Sequence, residues 1–132
     1  MAAITLAFVI AAATYGWMNP LFEAPDELWH FMYVEHLKSE HSLPVAGQSD
    51  GGLTPRQEAT QPPLYYAIAA LLTAPLDSSD LASALQFNPR YDAANAEDPE
   101  ARSFLIHTER ENPAFSPFAR AAHVDRLLST LF

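Results

Sequence analysis

No charged side chain occurs before Glu23, and from Ala2 to Met18 only Thr5, Thr14 and Gly16 interrupt an apolar run that closes on Trp17 and the breaker Asn19-Pro20. A stretch of this kind has few destinations. It predicts a membrane helix near residues 2–18 that ends in an interfacial aromatic, although a full crossing wants about 20 residues. Six of its residues are alanines, so Ile4, Leu6, Phe8, Val9 and Ile10 supply most of the transfer energy. Two other readings stay open. A secretory signal lacks the usual basic start and a small-x-small cleavage site here. A buried helix of a water-soluble core is the third, favoured by the marginal length.

Beyond Trp17 the character of the chain changes. Across 132 residues there are 16 Asp+Glu against 7 Lys+Arg, a formal net charge of -9, so no basic patch is available for phosphate backbones and nucleic acid is excluded as a partner. With 49% hydrophobic residues and 11 prolines against 4 glycines, the chain is neither a Gly/Ser linker nor a fully disordered tail. The absence of cysteine removes disulfide frameworks, thiolate metal sites and Cys nucleophiles.

Breakers divide the remainder. Pro25, Asp26 and Glu27 form a helix-start signal for a helix near 25–41, whose apolar residues, among them Trp29, Phe31, Met32 and Tyr33, cover much of its circumference. Such a helix suits a membrane interface with its aromatics dipped; the same periodicity also describes a core helix. Residues 42–61 carry turn formers without a period and read as a loop. Pro62-Pro63 opens a second apolar helix near 63–74, stopped by Pro75 and, at roughly 17 Å, too short to span hydrocarbon. Residues 76–120 are Pro- and acid-rich with little periodicity, ordinary for an extracytoplasmic loop. The apolar run Leu127 to Phe132 starts where the chain stops, which predicts the beginning of another span near 124–132, cut short.

The densest polar cluster is Glu23-Ala24-Pro25-Asp26-Glu27-Leu28-Trp29-His30. At a helix start both Asp26 and Glu27 can face outward, one as base and the other as an orienting or metal-holding group, while His30 shares the face of Asp26 four residues on. Simple N-capping by an acid explains the same pattern. A zincin needs His where Asp26 stands, and a di-iron bundle needs a second Glu-x-x-His beside Glu27–His30, so neither motif is present. A single divalent ion on oxygen ligands, held by Asp26 or Glu27 with His30, remains compatible with the spacing. Gln61, Tyr65 and Tyr66 set an amide and two phenols at a rigid helix entrance, suited to a sugar or phosphate head group or, equally, to an aromatic belt. There is no phosphate loop and no Gly-x-Ser-x-Gly elbow.

The order of these pieces resembles a known family. An apolar helix followed by Pro25-Asp26-Glu27-Leu28-Trp29-His30-Phe31, then Leu43-Pro44, Gln61-Pro62-Pro63-Leu64-Tyr65-Tyr66, Phe104-Leu105-x-His107, Asn112-Pro113 and Arg126-Leu127-Leu128-Ser129 is similar to the N-terminal part of GT-C membrane glycosyltransferases, specifically the family 39-like proteins related to dolichyl-phosphate-mannose-protein mannosyltransferases. The resemblance implies an all-α integral membrane fragment: one spanning helix at 1–18, a long extracytoplasmic loop at 19–123 with membrane-surface helices, and the start of a second span at 124–132. It further implies transfer of a sugar from a polyprenyl-phosphate donor to an extracytoplasmic acceptor, with Asp26 and Glu27 as the acidic catalytic pair. His30, Gln61, Tyr65 and Tyr66 are then the substrate-binding candidates, membrane lipid is a partner, and the fragment alone is inactive. The other function class left by the residues is a membrane-anchored or secreted binding module with an acidic loop.

Overall fold

A computed structural model describes residues 1–47, 53–95 and 97–130. The described residues are all-helical: α1 (Ala2–Met18), α2 (Glu27–Glu40), α3 (Leu64–Thr73), α4 (Leu81–Ala84) and α5 (Pro117–Ser129), with short 3-10 turns at Arg56–Thr60, Ala93–Asn95 and Glu109–Glu111. The single extended contact among them is an antiparallel bridge between Phe87 and Leu105. The all-α expectation therefore holds, and α1 has the bounds that its charge-free run predicts.

The spanning part of that expectation is not met by helix length. Among the described residues no helix is long and apolar enough to cross a membrane. Helix α1 has 17 residues, roughly 25 Å at 1.5 Å each, against a hydrocarbon core of about 30 Å. It is nonetheless unlike the other helices, because none of its residues is buried and Ile4, Leu6, Phe8, Trp17 and Met18 are all more than half exposed. The stretch read as the start of a second span, 124–132, is described as far as Thr130, and its residues up to Ser129 are helical. Those residues belong to α5, which starts at Pro117 and carries Arg120, Asp125 and Arg126 in its body. Residues 131–132 of that expectation, and 48–52 of the expected loop, lie outside the described residues.

Helix α2 is central rather than superficial. Leu28, Trp29 and Phe31 join Leu21, Phe22, Leu81, Leu105 and Phe118 in one core cluster, whereas Tyr33 and Val34 join Tyr66 and Ala69 of α3 in another. The aromatics expected to dip into lipid face protein instead, because a helix apolar on most of its circumference can be covered on two sides at once. Tyr33 and Tyr66 stack with ring centroids 3.9 Å apart, which fixes α2 against α3. On α5 the small residues Ala119, Ala121 and Ala122 are almost wholly buried and permit close approach. The N-terminus of α5 is capped from a distance: Asp80 Oδ1 accepts the Phe118 N–H at 3.1 Å and Oδ2 the Ser116 hydroxyl at 2.5 Å. Residues 76–120, expected as a featureless loop, thus include the cap of α5, helix α4 and the bridge.

One side chain ties the ends of three helices together. Arg126 of α5 donates to both carboxylate oxygens of Glu27, to the carbonyls of Gly16 (2.8 Å) and Asn19 (2.6 Å), and to the Pro20 carbonyl (2.7 Å). These five bonds use all five guanidinium N–H groups. The cation sits at the C-terminus of α1, where carbonyls lack partners, and Glu27 sits in the first turn of α2, so each charge complements its helix dipole. Replacing Arg126 by Met leaves Glu27 without its cation and three carbonyls without this donor at a site where both side chains are largely buried. The expected cost is about 3 kcal/mol in chemical denaturation, with partial recovery in Arg126→Lys, whose ammonium offers three donors in place of five; an unchanged midpoint in Arg126→Met is the contrary result.

Candidate functional site

The acidic cluster lies on the connector between α1 and α2, and that connector is strained. Phe22 and Asp26 adopt left-handed backbone angles, φ 64° and 59°, a conformation unusual for any residue but glycine and tolerated better by Asp than by Phe. Three anchors hold it there. Glu27 Oε2 accepts the Phe22 N–H at 2.8 Å, and Glu111 Oε2 accepts the Leu21 N–H at 3.2 Å. Glu23 receives the Leu105 N–H at 3.1 Å and lies 2.8 Å from His107 Nε2, whose other nitrogen is 2.6 Å from Glu111. The connector is therefore stitched to residues 104–111 through a Glu23–His107–Glu111 row.

Asp26 is left outside this stitching. It occupies the N-cap of α2, yet its side chain makes no capping bond; its Oδ1 accepts from Gln57 Nε2 at 3.1 Å, and the residue is exposed. The adjacent acids have thus diverged. Glu27 is consumed by Arg126 and the Phe22 amide, and Asp26 faces a cleft of about 410 Å³ lined by Glu23, Trp29, Arg56, Tyr91, Arg102 and Phe104. Arg56 lies over the Trp29 ring with 3.6 Å to its centroid.

A second cavity, about 490 Å³, lies on the other side of the Ala24-Pro25 wall and reaches α1 at Ala12, Tyr15 and Gly16. His30, Tyr65 and Tyr66 line it, so three of the four expected substrate-binding residues come together. His30 Nδ1 is 2.6 Å from the Tyr66 hydroxyl and 3.6 Å from Glu58. Burial pushes the Tyr66 hydroxyl up to about 12, with the nearby Glu58 and Tyr33 adding to the shift. The Tyr65 hydroxyl donates to the Asp125 carbonyl at 3.3 Å, and burial raises its pKa as well. Gln61 ends the Arg56–Thr60 turn, is exposed, and lines neither cavity.

A metal ion does not fit this arrangement. Asp26, Glu27 and His30 point to separate partners, Gln57, Arg126 and Tyr66, and among the described residues no group of three or more His, Cys, Asp or Glu gathers for a metal. Compared with protein-family models, curated proteins and solved structures, the chain matches none.

The sequence reasoning missed Arg126, Arg56, Arg102 and Asp125. Only the first had a signal, a lone arginine in the motif Arg126-Leu127-Leu128-Ser129. Asp125 lines the larger cavity, is 8% exposed, and neither carboxylate oxygen has a hydrogen-bond partner among the described residues. Burial, reinforced by Glu35 and opposed by Lys38, raises its pKa to about 7. Because the folded protein holds this proton more tightly than the unfolded chain does, Asp125 makes stability fall as pH rises from about 4 to about 7 and adds no slope above that. The loss across that window is at most about 4 kcal/mol. Asp125→Asn, which mimics the protonated acid, is expected to flatten this part of the stability–pH curve and to exceed the parent at pH 8; a parallel, downward-shifted curve is the contrary result.

Proposed function

We propose that this chain is the N-terminal segment of a membrane glycosyltransferase of the GT-C, family 39-like kind, which moves a sugar from a polyprenyl-phosphate donor to an extracytoplasmic acceptor with Asp26 as general base. The observation that carries this reading is a division of labour. Of two adjacent acids at a helix start, one is locked by an arginine to hold the backbone, and the other is left uncommitted at the rim of a polar cleft.

The surroundings support it. Helix α1, apolar and with no buried residue, is the segment to be seated in the membrane, where lipid covers what the protein does not. Its 17 residues suit an upright helix with local thinning of the bilayer. The cavity that reaches α1 is mostly apolar and carries His30, Tyr65 and Tyr66 among its polar groups, with Glu27, Asp125 and Arg126 also on its wall, as a lipid-linked donor with a polar head requires. The Asp26 cleft, by contrast, contains no residue of α1 and is polar, as a water-side acceptor requires. Glu27 and Phe22 border both spaces, so donor and acceptor meet across the connector.

In the reaction, the acceptor hydroxyl attacks the anomeric carbon while the bond from that carbon to the phosphate oxygen breaks, and the electron pair leaves with the polyprenyl phosphate. Asp26 takes the hydroxyl proton. Its neutral hydrogen bond from Gln57 orients the carboxylate without neutralising it. Glu27 is a positioning residue here, acting through the backbone of Phe22.

In membranes carrying the complete protein, Asp26→Asn is expected to lower sugar transfer from a polyprenyl-phosphate donor on the order of 10²-fold or more while leaving insertion and thermal stability within error. Since the Asp26 side chain caps nothing, a large stability loss with intact specific activity is the outcome that would assign it to structure.

A further inference from the structure

The chain carries 16 acids against 7 basic residues, yet several arginines have no acidic partner among the described residues. Two such arginines share the Asp26 cleft. Among the described residues Arg56 and Arg102, like Arg110 and Arg120 outside the cleft, make no ion pair, whereas Lys38, Arg90 and Arg126 each hold a carboxylate. Arg56 is further organised over Trp29, its guanidinium carbon 3.6 Å from the ring centroid. Stacking occupies the face of a guanidinium and leaves its edge, with the forked N–H donors, available to a carboxylate or phosphate. The same cleft contributes Tyr91 and Phe104, which meet edge to face at 5.3 Å and give a fixed apolar surface beside the cations.

Resting on the glycosyltransferase reading, we infer that the Asp26 cleft takes an anionic sugar as acceptor, its carboxylate or phosphate held by Arg56 and Arg102 and its ring set against Tyr91 and Phe104, so that a hydroxyl is presented to Asp26. A neutral sugar leaves two exposed guanidiniums without a partner. A bare anion leaves the aromatic surface and Asp26 without a role. The lipid donor has the other space, since α1 residues line only the larger cavity.

The test is titration of the full chain in detergent micelles with glucuronate, glucose 6-phosphate, glucose and inorganic phosphate, followed by calorimetry or ligand-observed NMR. Glucuronate and glucose 6-phosphate are expected to bind at least about tenfold more tightly than glucose, and glucose 6-phosphate more tightly than inorganic phosphate. Arg56→Gln and Arg102→Gln are each expected to lose about tenfold or more for the two anionic sugars, and Arg56→Lys to recover only part because it keeps the charge but not the fork. Both positions are exposed, so an unchanged helical circular dichroism signal accompanies these losses. Equal binding of glucose, equal binding of inorganic phosphate, or indifference to both arginine substitutions overturns the inference. Displacement of glucuronate by a short isoprenyl phosphate also overturns it, by giving the anion site to the donor. Arginine-dependent binding of glucuronate together with no sugar transfer by the complete protein removes the transferase reading and leaves the anionic-sugar site standing.

Discussion

The guanidinium of Arg126 holds together elements that lie far apart in the chain: the last turn of α1, the connector at Asn19 and Pro20, and the first turn of α2. Without it, the C-terminal carbonyls of an apolar helix would have only water as partner, and α1 has no buried residue with which to anchor itself. Helix α1 is therefore oriented by polar contacts at one end rather than by packing along its length. Bidentate pairing makes those contacts directional, since a planar fork on a planar carboxylate resists rotation in a way that a point charge does not. The direction in which the apolar helix leaves the rest of the chain follows from that pairing.

The strain of the connector follows from the same arrangement. Positive φ at Phe22 and Asp26 is unfavourable by about 1–3 kcal/mol each and persists because the surrounding bonds over-determine it. Phe22 places its amide on Glu27 and its ring among Phe31 and Phe118, at centroid distances of 5.5 and 6.2 Å, so relaxing its backbone would break a bond to a charged acceptor and empty a core position together. Leu21 is held in the same manner, buried and donating to Glu111. The result is a short, stiff wall, Ala24-Pro25, between a polar cleft and an apolar cavity.

How much of this was legible in the sequence depended on the range of the determining interaction. Helix α1 was readable to its end residues because the absence of charge and the Asn19-Pro20 breaker are local. Helices α2 and α3 were readable for the same reason. The placement of α2 was not, because an apolar circumference is equally compatible with lipid on one side or protein on two, and only the contacts with Leu81, Phe118 and Tyr66 distinguish them. The split between Asp26 and Glu27 was illegible for a different reason: it is decided by Arg126, 99 residues away, and by Gln57, 31 residues away. Tyr65 and Tyr66, neighbours with one composition signal, separate likewise, one bonding the Asp125 carbonyl and the other His30.

That distance dependence bears on which acid is available for chemistry. A carboxylate engaged by amides or cations is stabilised as an anion but has its lone pairs committed, and proton transfer from a substrate must compete with those bonds. Glu27 is bound by a guanidinium and an amide, Glu23 by two amides and an imidazole, and Glu111 by an amide and that same imidazole. Asp125 is free of such bonds yet buried, where ionisation itself is opposed. Asp26 alone among these acids combines an open lone pair, exposure and a neutral orienting neighbour. The strain that sets it apart is maintained by the committed acids around it, so the structural and the chemical carboxylates of this cluster are parts of one device.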